Sequence, residues 1–162
     1  MTEISITRTT HPRTPPADDT LSFGNVFSDH MFMLDYEEGK GWHSPRVVPY
    51  QDFSLDPATC VLHYGQAIFD GLKAFRGADG RVRLFRVSDH ARRLNRSGQY
   101  LCMPELDPAM VEESIRALVE VDQNWVPSKP GTSLYIRPTV IATERFLGVH
   151  PSRKYLYYVI VG

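Results

Sequence analysis

Two β-rich segments near the end of the chain decide the fold class: SLYIRPTVIAT (residues 133–143) and KYLYYVIVG (residues 154–162). Both are rich in the aromatic and β-branched residues that are enriched in strands. Pro138 has no backbone N–H, so it predicts an interruption of the first segment. The second segment reaches Gly162 without a polar tail, which favours the interpretation that more chain follows in the complete protein.

Two helices are predicted upstream of these strands. The clearer one, residues 107–121, has Asp107 as N-cap and Pro108 at the first helical position. Its apolar stripe consists of Met110, Val111, Ile115, Leu118 and Val119. The other helix, SDHARRLNRSGQYLC (residues 88–102), is predicted to begin with Ser88 or Asp89 as its N-cap.

The first half of the chain favours short strands. A strand is predicted around 30–34, and the glycines of EEGKGW (residues 37–42) predict a turn after it. Further candidates are strands in RVVPY (46–50), FSL (53–55) and RVRLFRV (81–87), and a short helix that runs into a strand in YGQAIFDGLKAF (64–75), broken at Gly71. Strands followed by two helices and then by strands indicate an α+β domain with a mostly antiparallel sheet and two principal helices. Residues 1–22 are predicted to form an extended arm and residues 23–162 the domain itself.

Composition excludes several classes of function. The net charge of -1 among 162 residues gives no indication of nucleic-acid binding. Six arginines between 81 and 96 are interleaved with acidic and apolar residues, which is typical of a solvated face for all but one of them. Cys60 and Cys102 lack the spacing of a zinc site and are interpreted as two buried thiols. Neither a signal peptide nor an apolar run of the roughly 20 residues that a membrane helix needs is recognisable, so a cytoplasmic protein is expected.

No short catalytic motif identifies the chemistry. The sequence contains no phosphate-binding loop of the Walker type, no Gly-x-Gly-x-x-Gly, no His-Glu-x-x-His and no Gly-x-Ser-x-Gly. Composition and spacing alone therefore describe a soluble α+β domain without an assigned activity.

A longer set of blocks does carry a resemblance. In order along the chain, they are FGNVFSDHM (23–31), LHYGQAIFDGLKAF (62–75), VRLFR (82–86), ARRLNRSGQYL (91–101), MPEL (103–106), DQNWVP (122–127), GTSLYIRP (131–138) and LGV (147–149). Together these blocks resemble the N-terminal half of branched-chain aminotransferases, which are class IV pyridoxal-phosphate enzymes. The resemblance implies the smaller N-terminal domain of the D-alanine-aminotransferase-like fold. It also implies transfer of the amino group of L-leucine, L-isoleucine or L-valine to 2-oxoglutarate through pyridoxal 5'-phosphate.

The resemblance assigns roles to individual residues. Arg93 matches the arginine that grips the cofactor phosphate, and a guanidinium fork suits phosphate oxygens. Four aromatic residues match the substrate side-chain pocket: Phe23, Tyr64, Phe69 and Tyr135. Arg137 matches an arginine near the substrate carboxylates, where it would accept the second carboxylate of glutamate. Val149 matches a loop residue that reaches the neighbouring subunit's substrate, which implies a homodimer.

The family's catalytic lysine, which forms a Schiff base with the cofactor, lies in the half of the family sequence beyond residue 162. None of Lys40, Lys73, Lys129 and Lys154 matches its position, so the resemblance predicts no catalytic residue in this chain. Two other hypotheses stay open. One is another class IV enzyme, either a D-amino-acid aminotransferase or an aminodeoxychorismate lyase, although the 23–31 and 62–75 blocks argue against it. The other is a non-catalytic half that binds a full-length subunit.

Overall fold

The computed structural model describes residues 3–162, which form eight strands and three α-helices. The strands are β1 (Ser5–Ile6), β2 (His30–Glu37), β3 (Gly41–Pro49), β4 (Ala67–Phe69), β5 (Leu72–Arg76), β6 (Val82–Leu84), β7 (Leu134–Ala142) and β8 (Lys154–Val161). The helices are α1 (Cys60–Tyr64), α2 (Val87–Tyr100) and α3 (Pro108–Val121), with a 3-10 turn at Gln123–Trp125.

All eight strands belong to one sheet, in the order β1-β3-β2-β8-β7-β5-β6, with β4 beside β5 on the same edge of β7. Every pairing is antiparallel except that of β1 with β3. The prediction of an α+β fold with a mostly antiparallel sheet and two principal helices is confirmed. The two C-terminal β-rich segments form β7 and β8, which pair with each other in the middle of the sheet.

The main core lies between one face of the sheet and the helices α2 and α3. Alternation along β7 turns Leu134, Ile136 and Val140 towards this core, and it leaves Tyr135 and Arg137 on the opposite face. The predicted stripe of α3 is confirmed, because Val111, Ile115, Leu118 and Val119 are buried and Met110 packs against them. Asp107 caps this helix by accepting a hydrogen bond from the Ala109 N–H at 2.9 Å.

Pro138 does not interrupt β7, so that prediction is wrong. The Pro138 carbonyl accepts a hydrogen bond from the Asp70 N–H at 2.9 Å, and the nitrogen of an extended residue points the same way as its carbonyl. That edge of β7 faces the break between β4 and β5, so the missing N–H of Pro138 costs the sheet little. The predicted break at Gly71 is confirmed by the same arrangement.

Four further local predictions differ from the structure. The α2 helix begins at Val87 after Arg86, whose φ of 54° is left-handed, so neither Ser88 nor Asp89 is the N-cap. The helix predicted from residue 64 instead ends there, because Gly65 takes a left-handed φ of 61°. Residues 53–55 are not a strand and lie in the loop between β3 and α1. Cys60 is buried, but Cys102 lies in the turn after α2 and is exposed.

The arm preceding residue 23 lies against the sheet in the described part, 3–22. Its strand β1 pairs with β3, and the Thr9 N–H donates to Nε2 of the buried His30 at 2.9 Å. Arg13 donates from Nε to the buried Asp29 carboxylate at 2.9 Å. The boundary after residue 22 remains a prediction.

Three tyrosines of β8 are expected to ionise late. Burial raises the pKa of Tyr155 to about 12, and it also raises the pKa values of Tyr157 and Tyr158. Since these pKa values are higher in the folded state, the stability they contribute is present below pH 10, the ordinary value, and is lost as the pH rises through about 12. An ultraviolet absorbance titration should show three of the eight tyrosines ionising after the others. A single titration step near the ordinary value would contradict this.

Candidate functional site

Four of the predicted pocket residues meet on the face of the sheet that the helices leave uncovered. The Arg137 guanidinium lies 4.3 Å from the centre of the Phe69 ring and 5.2 Å from that of Tyr135. Its Nε donates a hydrogen bond to the Tyr135 hydroxyl at 3.1 Å. The Phe23 ring meets the Tyr135 ring edge to face, with centres 5.0 Å apart. We call these four residues the aromatic–arginine cluster.

Strand register explains why the cluster forms. Tyr135 and Arg137 are two residues apart on β7, so both point to the same face. Phe69 is directly opposite Thr139, the next residue of β7 on that face. Phe69 and Phe23 keep about 62% and 76% of their surface exposed, respectively, so they are not core residues. The structure thus presents an apolar surface with one cation at its centre.

Gly71 gives Tyr135 its place in the cluster. A methyl group at Gly71 would overlap the Tyr135 hydroxyl oxygen and lie 2.9 Å from Cζ of its ring. The phenol therefore lies flat against the backbone of the β4–β5 break, in space that only glycine leaves free. A residue with a side chain at this position would force the ring away from Arg137.

Arg93 lies next to this cluster, on the second turn of α2. Its Nε donates to Oδ2 of Asp70 at 2.7 Å and its Nη2 to Oδ1 at 2.5 Å. Asp70 is the residue between Phe69 and Gly71, so the paired guanidinium is placed beside the aromatic–arginine cluster. About 62% of the Arg93 side chain is exposed, compared with 2% of Asp70.

Asp70 is a buried carboxylate whose ionised form is held by hydrogen bonds. Burial by itself would raise the pKa of Asp70, but hydrogen bonds from Arg93, His90 and the Gly71 N–H outweigh burial and lower it. The hydrogen bonds to Asp70 and the negative charge of Asp70 raise the pKa of Arg93. Because the folded pKa of Asp70 lies below its ordinary value of 3.8, its contribution to stability is present above that pH and is lost in more acidic solution.

Two neighbouring cavities open beside the cluster. One, of about 210 Å³, is lined by Phe23, Tyr135 and Arg137 together with the end of β8. The other, of about 420 Å³, shares Phe23 and Tyr135 and adds Lys73, which is opposite Tyr135 in the sheet. A larger hollow of about 590 Å³ lies between β6, α2 and α3, and none of the predicted site residues lines it.

Two predicted site residues lie elsewhere. Tyr64 ends α1, which is held against the loop after β7 by a hydrogen bond from the Cys60 N–H to the Glu144 carbonyl at 2.9 Å. Val149 lies in the same loop and is 90% exposed. The strand β7 ends five residues beyond Arg137, which is about 17 Å at the rise of a strand, and the loop follows it. Neither residue takes part in the aromatic–arginine cluster.

Sequence reasoning missed Asp70, His90 and Gly71. Asp70 and His90 surround the guanidinium of Arg93, and Gly71 makes room for Tyr135. A signal was present for His90, which is three residues before Arg93 and therefore on the same side of a helix. For Asp70 there was no such signal, because only the fold brings it across 23 positions to Arg93.

Comparison with known sequences finds branched-chain aminotransferases as relatives. No protein-family model matches the chain. The chain is 51% identical over 155 residues to branched-chain-amino-acid transaminase 1 of Bacillus subtilis (strain 168). The aligned region covers 96% of this chain and 44% of that protein. It is 45% identical over 159 residues to the mitochondrial branched-chain-amino-acid aminotransferase of Bos taurus, covering 98% of this chain and 40% of that protein. The chain thus spans less than half the length of these relatives.

Comparison with solved structures agrees with this result. The branched-chain amino acid aminotransferase of Thermobaculum terrenum, solved in its holo form with pyridoxal phosphate, matches 80% of this chain and 39% of its own, at 22% identity and a TM-score of 0.58. The Escherichia coli branched-chain amino acid aminotransferase matches 82% of this chain and 38% of its own, at 24% identity and a TM-score of 0.60. At these identities, both similarities support the fold alone. Within residues 3–162, no helix is long and apolar enough to cross a membrane. In its sequence and in its fold, the chain matches the N-terminal portion of branched-chain aminotransferases.

Proposed function

We propose that the protein to which this chain contributes is a branched-chain amino-acid transaminase. It would transfer the amino group of L-leucine, L-isoleucine or L-valine to 2-oxoglutarate with pyridoxal 5'-phosphate as cofactor. The aromatic–arginine cluster is the observation that carries this proposal. An enzyme with these substrates must accept an aliphatic side chain and the side-chain carboxylate of glutamate in one place, and the cluster joins an apolar wall to a cation.

Arg93 fits the phosphate of the cofactor. A guanidinium has five N–H donors, and Asp70 engages Nε and one hydrogen of Nη2 along one edge of Arg93. The Nη1 edge faces away from Asp70, and the side chain is mostly exposed. Two parallel hydrogen bonds from this edge would suit a phosphate oxygen pair. We therefore assign the phosphate of pyridoxal phosphate to Arg93.

The other residues would act on the substrate. An aliphatic side chain would be held, and water excluded, by Phe23, Phe69 and the ring of Tyr135. Each methylene in such an apolar pocket contributes about 1–3 kcal/mol to discrimination between substrates. The guanidinium of Arg137 would bind the side-chain carboxylate of glutamate, and the Tyr135 hydroxyl would keep it in place. Pyridoxal phosphate, when bound, supplies the electron sink on which amino transfer depends.

Tyr64 and Val149 receive their roles from the family resemblance. Val149 is 90% exposed on the loop that follows β7, as a residue offered to another subunit would be. We propose that this loop contacts the substrate of a neighbouring subunit in a homodimer. Tyr64, which ends the helix packed against this loop, would line the substrate side-chain pocket.

The 162-residue chain by itself is expected to transfer no amino group. The catalytic lysine is proposed to lie outside this chain, because none of its four lysines matches the family position. Purified 1–162 should show no formation of glutamate from L-leucine and 2-oxoglutarate in the presence of pyridoxal phosphate. Steady turnover by the purified chain would overturn this placement of the lysine, whether or not it survives replacement of Lys73, the lysine beside the cluster.

A substrate panel tests the reaction itself. The complete reading frame that contains the codons for residues 1–162 should be expressed. The purified product should then be assayed with L-leucine, L-isoleucine, L-valine and D-alanine in turn. Preference for the three branched L-amino acids would support the proposal. Preference for D-alanine would replace it with another class IV activity, and no activity combined with capture of a full-length subunit would favour a non-catalytic half.

A further inference from the structure

Asp70 is the most enclosed charged group near the proposed phosphate site. Its carboxylate is 2% exposed and receives hydrogen bonds from three directions. Arg93 donates to both oxygens, and the Nδ1 of His90 lies 2.9 Å from Oδ1. The backbone N–H of Gly71 donates to Oδ1 at 2.5 Å. With so many partners, the carboxylate has one orientation.

This orientation fixes the guanidinium of Arg93. An arginine side chain loses about 2 kcal/mol of rotamer entropy when it is held in one conformation. Its bidentate pairing with Asp70 holds the fork before any ligand arrives, so a ligand does not have to order it. The pairing uses the Nε edge, and it leaves the Nη1 edge directed away from the carboxylate.

We propose that Asp70 is a positioning residue, which aims the free edge of Arg93 at the phosphate group of the cofactor. His90 and the Gly71 N–H fix Asp70 in turn. This inference rests on the proposed function, because it takes the phosphate assignment of Arg93 as its starting point. It adds a residue that touches neither substrate nor cofactor and acts only through Arg93.

Simple electrostatics makes the opposite prediction. Asp70 carries a negative charge beside the proposed phosphate site, so removing that charge would strengthen phosphate binding through reduced repulsion. If Asp70 positions Arg93, the isosteric change Asp70→Asn weakens binding instead. The amide nitrogen of the new side chain is a donor and faces a donor of Arg93, so only one of the two hydrogen bonds survives.

The test measures the affinity of the 162-residue chain for inorganic phosphate by 31P NMR. For Asp70→Asn we expect the Kd to rise on the order of tenfold, the size of effect typical of losing a group that orients a ligand. Asp89→Asn is the matched control, because Asp89 pairs with Arg86 and Arg92 at the exposed start of the same helix. The control should bind phosphate as the unchanged chain does.

A second readout needs no ligand. In the unchanged chain, the Nε–H of Arg93 should give a separate, slowly exchanging resonance in 15N spectra, assigned with Arg93→Lys. Asp70→Asn should lose this resonance, and Asp89→Asn should keep it. If Asp70→Asn does not fold, His90→Ala takes its place, since it removes one support of Asp70 without changing the pair, and a severalfold weaker affinity is expected.

The outcomes separate the two claims. Equal or tighter phosphate binding by Asp70→Asn, or by His90→Ala where that variant is used, would overturn the positioning role and leave the assignment of Arg93 standing. The phosphate assignment and the positioning role would both be overturned if the unchanged chain binds no phosphate. The same holds if Arg93→Ala binds phosphate as well as the unchanged chain does.

Discussion

Replacing Asp122 with alanine is expected to destabilise the chain by about 2–6 kcal/mol, because two buried donors lose their acceptor at a cost of about 1–3 kcal/mol each. Asp122 is 2% exposed at the end of α3. One oxygen accepts a hydrogen bond from the backbone N–H of His30 at 3.0 Å, and the other lies 2.6 Å from the Nδ1 of the same residue. The variant leaves both groups of His30 buried without a partner, at the point where β2 begins.

The expected loss is large because the whole domain is expected to have a stability of only about 5–15 kcal/mol. It should also loosen the arm, since the imidazole that binds Asp122 also accepts the hydrogen bond from Thr9. Urea unfolding measures the change in the free energy of unfolding. Asp79→Ala is the control, because this carboxylate pairs with Arg83 at an exposed turn, and a much smaller effect is expected. A change below about 0.5 kcal/mol in Asp122→Ala, which is typical of surface substitutions, would contradict this interpretation.

Gly71→Ala is expected to displace the ring of Tyr135 and to destabilise the chain by about 1–3 kcal/mol, the usual range for overpacking. The added methyl group would overlap the tyrosine hydroxyl, so the phenol must leave its place. Its departure removes the hydrogen bond to Arg137 and the edge contact with Phe23. Nuclear Overhauser contacts between the rings of Phe23 and Tyr135 should disappear in this variant.

Gly98→Ala is the matched control for this substitution. Gly98 lies inside α2, and a methyl group there would meet the Ile68 Cδ1 at 3.4 Å, an ordinary contact. Alanine is favoured over glycine in a helix interior by about 0.5–1 kcal/mol, so this variant should be as stable as the unchanged chain or more so. Unaltered contacts between Phe23 and Tyr135 in Gly71→Ala would show that Gly71 does not determine the position of the ring.

Local patterns predicted much of the fold. Asp107 followed by Pro108 and an apolar stripe specified α3, because capping and periodicity agree within a few residues. The prediction that Pro138 interrupts β7 was wrong, because the effect of a proline on a strand depends on which edge of the strand its nitrogen faces. The start of α2 also differed, because Arg86 adopts a left-handed conformation that its residue type does not indicate.

The candidate site was predictable only in part, and by resemblance. The resemblance named Arg93, Arg137, Val149 and four aromatic residues. The structure brings four of these seven residues together on one face of the sheet and holds Arg93 beside them, at the β4–β5 break. The resemblance did not indicate that Asp70 would hold Arg93, because this contact depends on how α2 packs against the β4–β5 break. Tyr64 and Val149 lie at the far end of β7, and the proposed contribution of Val149 depends on a second subunit.

Binding of pyridoxal phosphate to the 162-residue chain tests the proposed site most directly. Isothermal titration calorimetry should compare Arg93→Ala with Arg92→Ala, which removes the same charge from the neighbouring, exposed position of α2. Hydrogen bonds to charged groups are worth about 1.5–3 kcal/mol, so Arg93→Ala should weaken binding by roughly 10- to 100-fold while Arg92→Ala changes it little. Equal affinities of the two variants would contradict the assignment of the cofactor phosphate to Arg93.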